Sequence, residues 1–290
     1  MAKSKSPILL PDGVCSDYEL LDSGVIKVAR CFPSLDSPWQ KGARIPDYLS
    51  LVDHSFKMDK RDYAKAISKE EERLNLLVRR MQEQRLSLVV ALQGRDGAGK
   101  TGASKTIIEA LDHDWRLFRI IPVGEPSDEE KNQPYMLRFF ERDRMPEFGQ
   151  VRVFDRSWAE DVLVVPVMKL ASAAHVRNCS PEIRTMEWLL RRSRSVVVKI
   201  WLDITKDEQL KRFKKREAEK PWKYKQSDVV ARKNWDKYTN WGNKLFYWTG
   251  SEHAPWHIVP AEDKLYSRVT CLQVISQALE AELESPFRSF

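Results

Sequence analysis

The chain has 290 residues, 42% of them hydrophobic and 31% charged, with a formal net charge of +7. That length allows one large domain or two small ones, and no apolar run approaches the roughly 20 residues of a membrane helix, so a membrane protein is not expected. The four cysteines, Cys15, Cys31, Cys179 and Cys271, are scattered, which excludes a zinc knuckle or a CxxC redox pair and fits a reducing, cytoplasmic compartment.

The first residues, Met1 to Pro7, lead into only a few apolar or small residues, so a secretory signal is not expected. Residues 1–59 hold Pro7, Pro11, Pro33, Pro38 and Pro46 with little periodicity. They read as an extended arm, packed on the body or on a neighbour. The second unit spans 60–290. It opens with a helical pattern from Lys60 to Gln84, with Ile67, Leu74, Leu77, Val78 and Met81 on one stripe.

Five short apolar runs follow: Ser87 to Leu92, Leu117 to Val123, Val151 to Phe154, Val196 to Leu202 and Trp256 to Val259. Continuous runs of this length suit strands buried on both faces, as in a parallel sheet. Helical segments separate them. Ser127 with Glu130, and Thr205 with Glu208, have capping-box spacing. Ser180-Pro181 reads as a cap followed by a first-turn proline. Lys264 to Leu283 closes the chain as a helix. The alternation predicts a three-layer α/β fold around a central, mostly parallel, five-stranded sheet.

One loop stands out. Gly94-Arg95-Asp96-Gly97-Ala98-Gly99-Lys100-Thr101 fits G-x-x-x-x-G-K-[ST] between a strand and a helix. Its glycines let backbone N–H groups converge on phosphate oxygens, and the helix that follows adds its positive end. Lys100 supplies a mobile point charge. A glycine-rich turn without a ligand is the plain alternative. Asp96 is unusual there, because a carboxylate repels phosphate unless a metal or an acceptor proton intervenes. Metal binding or activation of the acceptor is favoured over a turn-stabilising role.

After the strand ending at Phe154 come Asp155, Arg156, Ser157 and Trp158. An aspartate at the carboxyl end of a buried strand faces the ligand edge of an open sheet, and in P-loop enzymes it holds magnesium. Helix capping is the alternative. Arg156 beside it reads as a phosphate contact, with a surface ion pair as the alternative. The five histidines, His54, His113, His175, His253 and His257, show no ligand spacing and read as surface or packing residues.

From Lys211 to Lys225 eight residues are basic and two acidic, a local charge of +6. Arg212 and Arg216 lie four apart on one helix face, and Lys211 and Lys215 form a second row. Such a run is ordinarily a solvated face; a chain of phosphates would give it a purpose. Trp222 and Tyr224 beside Lys223 and Lys225 would also suit stacking on nucleic acid bases.

Taken together, the aspartate-bearing loop, Phe154 to Trp158, Val196 to Leu202, Glu208 to Leu210, Trp222-Lys223, Trp235 to Tyr238 and Ala254 to Trp256 resemble the type-2 polyphosphate kinase family over roughly 60–285. The resemblance implies a P-loop kinase fold and Mg2+-dependent phosphoryl transfer between inorganic polyphosphate and adenine or guanine nucleotides. It implies catalytic Asp96, Lys100, Asp155 and Arg156, with Asp96 and Asp155 holding the metal. Gly94, Arg95, Gly97, Ala98, Gly99 and Thr101 would bind phosphate. A helical lid over about 211–228 would close on the polyphosphate through Arg212, Lys215, Arg216 and Lys223.

Pro126 to Glu130, with Gln133 to Tyr135, Arg138 and Phe139, looks closest to the AMP-phosphorylating branch, and Arg138 is carried over from it. Some positions depart from the family pattern. Ala159 stands where tyrosine is common, Pro221 directly precedes Trp222-Lys223, and Thr101 stands where glycine or another residue is common, which reads it as a spectator toward magnesium rather than a ligand of it. Glu160 to Val164 is similar instead to the branch that takes both AMP and ADP. The family also implies a homo-oligomer, a dimer or tetramer. The rival readings are an ATP-dependent small-molecule kinase and a non-catalytic P-loop protein that binds nucleic acid. Nucleic acid is not the expected partner.

Overall fold

The computed structural model describes residues 17–34, 42–111, 116–141, 143–219, 221–223 and 226–284. Cys15 and His113 lie outside them. The order of elements is β1 (Tyr18–Leu20), β2 (Ile26–Val28), α1 (Lys60–Glu83), β3 (Ser87–Gly94), α2 (Lys100–Glu109), β4 (Phe118–Pro122), α3 (Asp128–Lys131) and β5 (Val151–Asp155). There follow α4 (Glu160–Met168), α5 (Ala173–Arg192), β6 (Ser195–Asp203), α6 (Lys206–Glu219), α7 (Gln226–Lys233), α8 (Trp235–Thr249), β7 (Trp256–Pro260) and α9 (Lys264–Glu284).

All five apolar runs are strands. They pair in parallel in the order β7-β6-β3-β5-β4. β3 and β6 are buried along their whole length, as central strands covered on both faces must be. Alternate residues divide between two cores. Leu88, Val90 and Leu92 pack toward α1, α2 and α9; Val89 and Ala91 pack with Phe154, Trp158, Trp201 and Phe246. The three layers follow from that alternation.

The sheet has seven strands, not the five expected. β1 and β2 form an antiparallel pair whose Ile26 lies opposite Ile258 of β7. Each has three residues, too short to show a period, and the pairing with β7 spans most of the chain. The proline-rich segment thus contributes to the core: Ile26, Val28, Tyr48 and Leu49 are buried. Asn243 of α8 accepts from the Leu49 N–H at 3.2 Å and donates to Asp47 at 2.7 Å, which fastens that segment to the body.

Two helix starts differ in detail. α5 begins at Ala173 behind Ser172, whose hydroxyl accepts from the His175 N–H, so Ser180 and Pro181 lie inside the helix rather than at its start. The earlier cap wins because Ser172 satisfies an otherwise orphaned N–H. Ser127 and Glu130 form the complete capping box. Thr205 caps the Glu208 N–H, but Glu262 takes the return bond to the Thr205 N–H while Glu208 turns to Arg212. Among the described residues no helix is long and apolar enough to cross a membrane.

Candidate active site

β3 and α2 meet at Gly94 to Thr101, on the carboxyl edge of the sheet. The loop needs its glycines for steric reasons. A Cβ at Gly94 (φ 145°) would stand 2.3 Å from the Leu202 carbonyl of β6. Gly97 has φ 84°, and its Cβ would meet the Phe213 ring at 3.0 Å. No L-residue with a side chain adopts either position without strain.

The charged groups form a linked set. Lys100 Nζ donates to the Gly94 carbonyl at 2.9 Å and the Arg95 carbonyl at 3.2 Å, and lies 3.7 Å from Asp96. Arg156 donates to Asp96 at 3.3 Å and pairs with Glu160 at 3.6 Å. The Thr101 hydroxyl donates to Asp155 at 2.7 Å. Asp96, Lys100, Thr101, Asp155 and Arg156 are therefore brought together from β3–α2 and the end of β5. Arg156 has φ 69°, a conformation that costs a non-glycine residue about 1 kcal/mol or more and is concentrated at functional sites.

Burial sets the electrostatics. It lowers the Lys100 pKa, and Asp96 opposes that. It raises the Glu160 pKa, against the pull of Arg156 and Lys100. Glu160 in turn is the main cause that holds Arg156 above its ordinary value. Burial also pushes Tyr238 of α8 up to about 12, with Asp96 and Glu160 adding to the rise.

Two expected phosphate contacts are placed elsewhere. The Arg95 side chain is buried. It donates to Asp203 at 2.9 Å and Thr239 at 3.0 Å and lies 3.7 Å over the Trp235 ring, so it joins the loop to β6 and α8. Arg212 is turned fully into the protein. Its Nη1 donates to the Gly97 and Ala98 carbonyls, its Nη2 to those of Ala261 and Glu262, and its Nε to Glu208. All its donors face protein acceptors, which makes it a brace under the loop instead of a grip on a phosphate chain.

Arg216 does not share that position. It lies partly exposed, 5.4 Å from the Phe213 ring. Lys215 is exposed and 3.7 Å from Glu219. The expected lid region is α6, a short turn at Pro221–Lys223 and α7. Lys220, Tyr224, Lys225 and the side chain of Lys223 lie outside the described residues.

Arg138 sits in a 3-10 turn (Tyr135–Phe139), paired with Glu130 at 3.2 Å and donating to the Gly124 carbonyl. Its buried Nε has no partner among the described residues. His175 bonds both oxygens of Asp161 at 2.9 Å, His257 is buried in β7, and His54 is 3.4 Å from Asp203.

Glu160, Asp203 and Tyr238 were not anticipated as site residues. Asp203 carried the signal that identified Asp155, a carboxylate ending a buried strand. Glu160 lies four residues past Arg156, in the first turn of α4, close enough in sequence for the opposite charges to pair. Tyr238 lay in the Trp235 to Tyr238 segment that carries the family resemblance, but nothing local gave it a role at the site.

A phosphate loop after the first parallel strand, with a carboxylate at the end of the neighbouring strand, defines the class of P-loop phosphotransferase folds. Residues 57–286 match the profile of the polyphosphate kinase 2 (PPK2) family, and the chain belongs to that family. It is 36% identical over 235 residues to a polyphosphate:AMP phosphotransferase of Pseudomonas aeruginosa, covering 80% of this chain and 47% of the relative. It is 31% identical over 223 residues to ADP-polyphosphate phosphotransferase 3 of Rhizobium meliloti, covering 76% and 77%. The crystal structure of polyphosphate kinase 2 from Arthrobacter aurescens TC1 superposes with a TM-score of 0.76 at 30% identity, covering 91% of this chain and 95% of that one. The chain spans about half the length of the first curated relatives it matches.

Proposed function

We propose that this chain transfers the terminal phosphoryl group of inorganic polyphosphate to a nucleoside mono- or diphosphate in the cytosol, with Mg2+. The observation that carries the reading is the linked set Lys100–Asp96–Arg156 beside Thr101–Asp155 at the mouth of the phosphate loop. Family membership supports polyphosphate as donor, and the relatives' names support AMP and ADP as acceptors.

Asp96, Asp155 and the Thr101 hydroxyl are hard oxygen donors, the set that suits Mg2+ when substrate phosphates complete its shell. There the ion would neutralise charge shared by donor and acceptor phosphates. The remaining work falls to positioning and fixed charge. Lys100 neutralises donor phosphates over the loop. Arg156 stabilises the charge of the group in flight. Arg138 meets the acceptor's phosphate. An acceptor phosphate oxygen forms the new P–O bond while the terminal phosphoanhydride P–O bond breaks, and the bridging oxygen leaves on the shortened chain. No serine or histidine nucleophile is required.

The test is product analysis with AMP and ADP offered separately, each with Mg2+ and either polyphosphate or ATP as donor. Nucleotide phosphorylation from polyphosphate is expected. Transfer from ATP alone would instead identify an ATP-dependent kinase and overturn the reading.

A further inference from the structure

The first turns of α6 lie against the backbone of the phosphate loop. Gln209, Arg212 and Phe213 are spaced three and four apart, which puts them on one helix face, and all three are buried. Gln209 Nε2 donates to the Asp96 carbonyl at 2.9 Å. Arg212 Nη1 donates to the Gly97 and Ala98 carbonyls, both at 3.0 Å. The Phe213 ring packs where a side chain at Gly97 would stand. Three successive carbonyls of the loop therefore turn toward one helix.

A carbonyl held on one side fixes an N–H on the other. The peptide unit is planar and trans, so the N–H of the next residue points opposite to the carbonyl. The bonds from α6 thus direct the N–H groups of Gly97, Ala98 and Gly99 away from that helix. Ala98 donates its N–H to the Arg95 carbonyl at 3.0 Å, closing a turn. Gly97 and Gly99 have no acceptor for theirs among the described residues. Backbone N–H groups left free in a glycine-rich loop are the donors that take phosphate oxygens.

Gln209 holds this place at a cost. Its Oε1 is buried and has no partner among the described residues. A hydrocarbon side chain would fill the same space without an unpaired oxygen; what the amide adds is the donor on Asp96. The helix that carries it is anchored in turn. The Thr205 hydroxyl donates to Glu262 at 2.7 Å, and Arg212 Nη2 donates to the Ala261 and Glu262 carbonyls. We propose that Gln209 is a positioning residue of the phosphate loop: by holding the Asp96 carbonyl it aims the Gly97 N–H at a donor phosphate and sets the backbone from which the Asp96 carboxylate projects. The role rests on the reading of this loop as the grip on the phosphate donor.

The experiment is calorimetric titration of the full chain with the magnesium salt of tripolyphosphate, together with steady-state kinetics. Gln209→Met keeps the volume and removes the donor. Its Kd for tripolyphosphate is expected to rise about tenfold, the scale of one hydrogen bond, with the number of binding sites unchanged. The KM for the nucleotide acceptor is expected to stay as in the parent. Gln209→Glu adds a pH signature. At acid pH the introduced carboxyl is protonated, donates to the Asp96 carbonyl and supports affinity like the parent's. As the pH rises the carboxylate faces that carbonyl with no proton to donate, and affinity is expected to fall below the parent's at the same pH.

An unchanged Kd in both variants, a loss of binding sites at unchanged Kd, or an equal rise in the acceptor KM overturns the positioning role and leaves Gln209 a packing residue. Failure of both variants to fold has the same meaning. A parent chain that binds tripolyphosphate but phosphorylates nucleotides from ATP alone sinks polyphosphate as donor and leaves the positioning role standing, since the phosphates of ATP meet the same N–H groups. A parent chain that binds neither tripolyphosphate nor ATP sinks both.

Discussion

The Thr101 hydroxyl donates to the Asp155 carboxylate over 2.7 Å, tying the first turn of α2 to the end of β5. Thr101 therefore stands at the site through Asp155, although its place in the family pattern marked it as a spectator. On the proposed function, replacing Asp155 with Asn removes a charge from where the metal and the reacting phosphates would lie. The expected loss in kcat is a hundredfold or more, on the order of ~10²–10³. Thr101→Val removes only the tie, and a loss of about tenfold or less is expected. Steady-state kinetics of the two variants checks the ranking; equal losses would contradict it.

Asp96 and Lys100 are 3.7 Å apart. Burial lowers the Lys100 pKa and Asp96 raises it. Asp96→Asn removes the opposing effect, so the folded pKa of Lys100 falls further. The protonated amine, which on the proposed function carries the attraction for phosphate, is then lost at lower pH. Tripolyphosphate binding followed against pH is expected to weaken at lower pH in the variant than in the parent. An alkaline limb that does not move would show that the two side chains are not coupled.

Glu187 and Lys199 form a fully buried ion pair at 2.8 Å beneath the aromatic core. Trp158 donates to Glu187, and Lys199 also donates to the Thr249 carbonyl. Burial raises the Glu187 pKa and lowers that of Lys199. Lys199→Met leaves a buried carboxylate unpaired and is expected to cost about 3–5 kcal/mol. Adding Glu187→Gln keeps an acceptor for Trp158 and removes the charge, so most of that loss should return. Denaturant unfolding of the single and double variants measures both steps.

His257 is buried in β7 and its pKa is lowered to about 4, mainly by burial. The folded chain favours neutral imidazole, whereas the unfolded chain titrates near 6.5. The contribution to stability is complete above about 6.5 and is lost as the pH falls through the window down to about 4. It is on the order of 3 kcal/mol at full extent. His257→Gln is expected to flatten the fall in melting temperature across that window. An unchanged acid limb would locate the loss elsewhere.

The elements with a strong local period were legible in the sequence. The stripe of α1, the apolar runs of the five parallel strands and the strand–loop–helix at Gly94 all carry their signal within about ten residues. Asp155 was legible because a strand end is a local feature. Asp203 bore the same mark at the end of β6 but stood beside no phosphate motif, and it is occupied by Arg95, 108 residues away. β1 and β2 escaped because three residues show no period and their register is set by β7.

The sequence by itself determined a parallel α/β sheet, a phosphate loop at its carboxyl edge and the residues Asp96, Lys100, Asp155 and Arg156 around it. Periodicity and turn chemistry encode these things locally. Only the tertiary structure decided which basic residues are available to a ligand. Arg212 reads like its neighbours in a basic helix, yet packing places it against carbonyls of Gly97 and Ala98, 115 and 114 residues away. A side chain's partners are fixed by how helices lie on the sheet, and that arrangement is a property of the whole chain.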